Sequence, residues 1–128
     1  MPHFLGITPV LRSFDETKAR EFYLDFLGCE VVFEHRLADD APLYMGLTLG
    51  GIRVHLSEHY GDATPGTSLR IQVDDLMAYL RTLQAKQYEH ARPGTEPREP
   101  TPWGTLECAL SDPFGNRLVF WEEVEGAP

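Results

Sequence analysis

One order of strands and helix runs through this chain twice, and that repetition constrains the fold more than any single motif does. Offset by 60 residues, the strand-to-helix junction at Asp15 falls on Asp75. Offset by 64, the segment Arg53-Val54-His55-Leu56-Ser57-Glu58 falls on Arg117-Leu118-Val119-Phe120-Trp121-Glu122. Strand and turn patterns are common, so one such match carries little weight. Two matches, in the same order and within a few residues of one offset, point to an internal duplication.

The elements follow from local chemistry. Asp15 is a suitable N-cap, and Ala19, Phe22, Tyr23, Phe26 and Leu27 then recur at helical spacing. Gly28 closes that helix as a left-handed cap residue. A strand over residues 7–13 precedes it, and strands over 30–37, 43–49 and 52–57 follow. Gly50-Gly51 supplies a tight turn between the last two. The second half runs in parallel: a strand over 67–73, then a helix capped by Asp74 or Asp75 and carrying Leu76, Tyr79, Leu80 and Leu83. A short strand is expected from about Tyr88, then a loop holding Pro93, Pro97, Pro100 and Pro102. Strands over 105–110 and 117–122 close the chain as a hairpin around Asp112-Pro113-Phe114-Gly115-Asn116. The expected class is α+β: one domain over 1–128, built from two βαβββ repeats at about 1–60 and 67–125.

Alternation within the strands assigns their faces. Ile52, Val54 and Leu56 alternate with Arg53, His55 and Ser57, and Leu69, Ile71 and Val73 alternate with Ser68, Arg70 and Gln72. Successive strand residues point to opposite sides, so the apolar set packs on helices. The polar set meets solvent or lines a cleft.

Twenty acidic residues against 11 basic ones leave a net charge of −9. That sign opposes nucleic acid and anionic membranes as partners, and it favours a cationic ligand; it also serves simple solubility. No apolar run approaches the roughly 18 residues of a membrane helix, and the first residues carry no secretory pattern. Cys29 and Cys108 have the spacing of neither a zinc clip nor a disulfide framework and are expected as small core residues. A cytoplasmic protein is the expectation.

The duplicated βαβββ plan combines with three local segments: Pro9-Val10-Leu11 leading to Asp15, Phe22-Tyr23 before Leu27-Gly28, and Pro102-Trp103-Gly104-Thr105 running to Asp112-Pro113-Phe114-Gly115-Asn116. Together they resemble the vicinal-oxygen-chelate superfamily, which includes glyoxalase I, extradiol dioxygenases, fosfomycin-modifying enzymes and bleomycin-resistance proteins. The stretch PWGTLECALSDPFGNRLVF is similar to the form seen in bleomycin-resistance proteins. The resemblance implies a cupped sheet with helices on its outer face. In metal-dependent members, four strand positions pointing into the cup supply the ligands. Carried over by the motifs, these are Thr8, His55, Ser68 and Val119. Only His55 is an ordinary ligand; neutral hydroxyls are poor partners for a transition metal, and Val119 offers none. A catalytic metal generally needs about three protein ligands plus an open position.

The resemblance therefore implies a non-catalytic small-molecule binder without metal or other cofactor. It would sequester a cationic aromatic antibiotic such as bleomycin in a cleft at a homodimer interface. Candidate ligand-binding residues are Phe33, His35, His55, Ser57, Ser68, Arg70, Trp103 and Glu107. Phe33 and Trp103 would stack on flat rings, while Asp62 and Glu107 near the rim would attract a cationic tail. Each has a plainer role open to it. Phe33 and His55 fit the interior, Trp103 fits a pin for the proline-rich loop, and Arg70 fits a partner for a carboxylate such as Glu107. Two alternatives stand beside this expectation: a metal-dependent lyase, isomerase or dioxygenase using His55, His35 and Glu107, and a binder of an unrelated metabolite. There is no G-x-S-x-G, C-x-x-C or G-x-x-x-x-G-K-[ST] motif. Asp39-Asp40 sits in an extended loop, where adjacent carboxylates point apart.

Overall fold

The computed structural model describes residues 1–86 and 100–124. The chain divides into two compact units, Met1–Pro65 and Gly66–Pro128. The strand expected from Tyr88 lies outside the described residues.

Unit 1 holds β1 (Val10–Arg12), α1 (Glu16–Ala19), β2 (Glu30–His35), β3 (Tyr44–Leu49) and β4 (Ile52–Ser57). The sheet order is β1-β4-β3-β2, with β1 parallel to β4 and the other pairs antiparallel. Asp15 caps α1, its carboxylate accepting the N–H of Lys18 at 2.9 Å. Instead of one regular α-helix, α1 continues as a π-helical segment, Arg20–Phe26. Its wider winding is seen where Leu27 N–H reaches back to the Phe22 carbonyl. Phe22, Tyr23 and Phe26 are buried there, with ring centroids 4.9 and 5.7 Å from Phe22. Gly28, at φ +92°, then turns the chain into β2. Arg20 pairs with Glu16 and Glu34, and Arg36 pairs with Glu16, which ties the helix to β2. Gly50 takes φ +57° at the first position of the two-residue β3–β4 turn, a conformation that favours glycine.

The first strand is shorter than the sequence suggests. Its ladder begins at Val10 opposite His55, and the last contact before it is His55 N–H to the Pro9 carbonyl. Among the described residues, those ahead of Pro9 have no strand partner, and Ile7 is 93% exposed, with Phe4 and Leu5 exposed as well.

Unit 2 holds β5 (Ser68–Gln72), α2 (Leu76–Gln84), β6 (Thr105–Ser111) and β7 (Arg117–Glu123), with sheet order β5-β7-β6. Of the two candidate caps, Asp75 serves α2, accepting Ala78 N–H at 3.1 Å. Leu76, Leu80 and Leu83 are buried, and the Tyr79 ring packs 5.2 Å from that of Phe120 on β7.

The duplication is visible in the ladders. In unit 1 the first strand runs parallel to β4 with Val10 opposite His55; in unit 2, β5 runs parallel to β7 with Arg70 opposite Val119. These are the equivalences that the two sequence offsets require. Between β6 and β7, the Asp112 carboxylate accepts the N–H groups of Phe114 (2.9 Å) and Asn116 (2.8 Å) and the Asn116 side-chain amide (2.8 Å). Asp112 and Asn116 are both buried. No helix among the described residues is long and apolar enough to cross a membrane.

Candidate functional site

The polar face of the unit 1 sheet is built by register. The β3–β4 hairpin sets Gly46 opposite His55 and Tyr44 opposite Ser57, and β2 sets Phe33 opposite Gly46 and His35 opposite Tyr44. An irregularity between Val31 and Phe33 inserts one extra residue in β2 and puts Phe33, not Val32, over Gly46. Partners directly across a ladder point the same way, so Phe33, His35, Tyr44 and His55 share one face.

Three of those side chains form an aromatic cluster. The Phe33 ring stacks on Tyr44 at 6.0 Å, and His55 meets both rings edge-on at 5.3 Å. Phe33 remains 42% exposed, with room because residue 46 has no side chain. A Cβ on Gly46 would lie 2.2 Å from Phe33 Cε1. The Tyr44 hydroxyl lies 2.8 Å from His55 Nδ1. Burial, reinforced by the charge of Asp62, raises the Tyr44 pKa, so the phenol keeps its proton. A neutral imidazole has one nitrogen that donates and one that accepts, so this contact occupies Nδ1 whichever partner supplies the hydrogen.

Ser57 follows His55 on the same face of β4. It is fully buried, its hydroxyl donates to Asp62 at 2.6 Å, and it accepts His59 N–H at 3.0 Å. Both Ser57 and Asp62 are thereby engaged in holding the turn after β4. Arg12 braces the same turn by donating to the His59 carbonyl at 2.6 Å.

In unit 2, β5 sets Arg70 opposite Val119 and Gln72 opposite Trp121, while β6 sets Glu107 opposite Trp121. Glu107 accepts four hydrogen bonds: two from Arg70 (3.2 and 2.8 Å), one from the Thr105 hydroxyl (2.6 Å) and one from Trp103 Nε1–H (3.1 Å). The Arg70 guanidinium also lies over Trp121, 5.5 Å from the ring centroid. Ser68 is exposed opposite Arg117, and Val119 is buried. The structure thus brings Arg70, Trp103 and Glu107 into one network. It also engages both carboxylates expected to draw a cation, since Glu107 is matched by Arg70 and Asp62 by Ser57.

Arg70 first, then the Thr105 hydroxyl and the Trp103 indole, hold the Glu107 carboxyl at about 2, well below its ordinary 4.5. A carboxylate whose pKa is lower in the folded state stabilises the fold fully above its unfolded value and loses that contribution as pH falls through the folded one. The network should therefore persist at pH 4 and break near pH 2. Following the Glu107 carboxyl carbon by NMR through an acid titration checks this, and a midpoint between 4 and 5 would refute it.

Tyr44, Gly46, Thr105 and Trp121 are not among the candidate ligand-binding residues read from sequence. Counting back from the Gly50-Gly51 turn pairs Gly46 with His55 and places Tyr44 two residues along the same face, so that signal was present. Thr105 and Trp121 stand in segments that the sequence picks out, the Pro102–Thr105 stretch and the repeat match, but nothing local gives them a place in this network.

The four positions carried over by the resemblance offer one imidazole among them. Thr8 is exposed and precedes β1, Ser68 offers a hydroxyl, Val119 offers hydrocarbon, and His55 is engaged by Tyr44. Among the described residues, no three His, Cys, Asp or Glu side chains gather as a metal would need.

A family model described as glyoxalase superfamily protein matches residues 3–127. The chain belongs to the glyoxalase superfamily. Among solved structures, this superfamily member is similar to the bleomycin-binding protein from bleomycin-producing Streptomyces verticillus, complexed with copper(II)-bleomycin. The identity is 34% over 94% of this chain and 97% of that one, with a TM-score of 0.67. It is also similar to a bleomycin resistance determinant encoded on the transposon Tn5, at 27% identity, 94% and 98% coverage and a TM-score of 0.66. An antibiotic-binding protein from Streptomyces sp. CB03234 shares the fold at 21% identity, 96% and 98% coverage and a TM-score of 0.68. A search of curated proteins finds no match.

Proposed function

We propose that this glyoxalase-superfamily chain is a non-catalytic binder that sequesters a flat, cationic antibiotic of the bleomycin kind, in a cleft at a homodimer interface. The observation that carries this reading is the aromatic cluster at Phe33, Tyr44 and His55. It puts exposed ring surface around the one imidazole among the positions carried over by the resemblance, and among the described residues no group of three metal donors forms. Chemistry that polarises vicinal oxygens or activates dioxygen needs an ion held by several ligands. Stacking and hydrogen bonding need only what these residues offer.

Phe33 is assigned as a stacking surface, His55 and His35 as polar contacts beside it, and Trp103 as a second stacking surface. Arg70 and Glu107 act as its frame, with Ser68 an exposed hydroxyl nearby in sequence. A cationic ligand is favoured by the net charge of −9 as a whole, because Asp62 and Glu107 are already engaged. The exposed Phe4, Leu5 and Ile7 ahead of Pro9 suit an arm that packs on a second copy, since exposed apolar side chains so close together favour an interface. The assigned location is the cytoplasm.

Calorimetry with metal-free bleomycin should show saturable binding with a Kd below about 1 µM, a free energy of roughly −8 kcal/mol. No heat and no saturation at tens of micromolar would exclude this ligand. A host expressing the chain should then survive bleomycin that kills its parent. Stoichiometric transition metal in protein purified without chelator, lost on His55→Ala, would overturn the reading in favour of a metal-dependent enzyme.

A further inference from the structure

Two tryptophans lie in unit 2, and the structure treats them differently. Trp121 sits in β7 under the Arg70 guanidinium. Trp103 sits just ahead of β6 with 60% of its surface exposed, yet its only polar atom is tied to Glu107. An exposed indole on a loop would ordinarily sample several rotamers, and a ligand stacking on it would have to order the ring. Here that ordering precedes binding. Glu107 is mostly covered, with 17% of its side chain exposed, and it is clamped by the two-pronged Arg70 pair and by Thr105. Paired forks of this kind fix orientation as well as charge. The Thr105 backbone adds to the same corner, because its N–H donates to the Thr101 hydroxyl at 3.0 Å and its carbonyl accepts Thr101 N–H at 2.8 Å.

We infer that Glu107 is a positioning residue for ligand capture: through the Arg70–Glu107–Trp103 hydrogen-bonded chain it holds the exposed Trp103 indole as a preset plate for a flat ring. The inference rests on the sequestration reading for its ligand, but not for its geometry. Hydrogen bonding of the indole N–H to a carboxylate enriches the ring face in electron density. That suits a cationic or electron-poor ring, whose attraction to an aromatic face is electrostatic. Glu107 itself touches no ligand in this arrangement and acts through Trp103.

The test has two arms. In ligand-free protein, the Trp103 indole N–H resonance, assigned by its loss in Trp103→Phe, should be shifted downfield and exchange slowly. Glu107→Ala should move it upfield and speed exchange at least about 10-fold, the scale expected for freeing one hydrogen-bonded donor. Glu107→Gln, which keeps one acceptor oxygen, should restore part of both signals. In the second arm, Glu107→Ala should weaken bleomycin binding by about 10-fold, the cost of ordering one large side chain on association. In a Trp103→Ala background the same change should cost nothing further, since coupled residues are not additive. An indole resonance that ignores Glu107→Ala and Glu107→Gln would overturn the inference. So would an equal loss of affinity with and without Trp103. A wild-type protein that does not bind bleomycin would overturn the sequestration reading instead, and the indole arm would then decide the positioning role by itself.

Discussion

Gly46→Ala is expected to weaken bleomycin binding by about 30-fold while lowering stability by only about 1 kcal/mol. The added methyl would sit 2.2, 2.6 and 2.8 Å from three carbons of the Phe33 ring, distances that no pair of carbons tolerates. Something must move, and the backbone of β3, hydrogen-bonded on both sides, is the harder thing to shift. Phe33 lies on the edge strand β2 and is already partly exposed, so its ring swings out. The fold then loses the stacking on Tyr44 and the edge contact with His55, each worth about 0.5–1.5 kcal/mol and partly recovered by new contacts. On the proposed sequestration the ligand loses its platform as well, and truncating a central aromatic contact typically costs about 2 kcal/mol or more, which corresponds to about 30-fold. Phe33→Ala should weaken binding by a similar factor, and adding Gly46→Ala to it should change little. The ring-current shifts that Phe33 imposes on His55 should collapse in either variant. Wild-type affinity in Gly46→Ala, with those shifts intact, would mean that the methyl is accommodated and Phe33 is no platform.

How far the sequence disclosed this arrangement depended on whether a feature was local. The caps were legible because an aspartate ahead of an apolar helical run has one favourable use, and Asp15 and Asp75 both serve it. The bounds of β4 were legible because strict alternation met a two-glycine turn at one end. The extent of β1 was not. A parallel strand is defined by its partner, and pairing with β4 begins only at Val10. The π-helical segment was hidden because aromatic spacing suits either winding. Of the candidate residues, Phe33 and His55 meet in one cluster and Arg70, Trp103 and Glu107 in another, while Ser68 and His35 join neither by a contact described above. Ser57 takes the face that alternation predicts and is nevertheless covered, because alternation does not say whether a following turn closes over a side chain. Asp62 provides that cover. The sequence also left Glu107 with two roles, cation lure or partner of Arg70, since the choice depends on a contact 37 residues apart in the chain.

Asp112→Ala should lower stability by about 3 kcal/mol and the melting temperature by roughly 10 °C, more than any surface change in the chain. The segment Asp112-Pro113-Phe114-Gly115-Asn116 joins β6 to β7, and the structure shows why it is needed. One buried carboxylate accepts two backbone N–H groups and a side-chain amide, while Asp112 N–H donates to the Asn116 carbonyl at 2.9 Å. Alanine would leave those donors short of partners in a place where Phe114 and Asn116 are buried, and each unsatisfied group costs about 1–3 kcal/mol. The turn also fixes the register of β6 against β7, from Ser111 opposite Arg117 to Thr105 opposite Glu123. A slip there would carry Glu107 away from Trp121 and Arg70, because moving one residue reverses every face. Asp112→Asn is the informative comparison. Its carbonyl oxygen still accepts both backbone donors, and a flip of the Asn116 amide removes the clash of facing NH2 groups, so the expected loss is about 1 kcal/mol. Thermal and urea unfolding of the two variants separates a hydrogen-bonding role from a steric one. Equal, small losses would show that the carboxylate is dispensable and that the glycine and proline alone shape the hairpin.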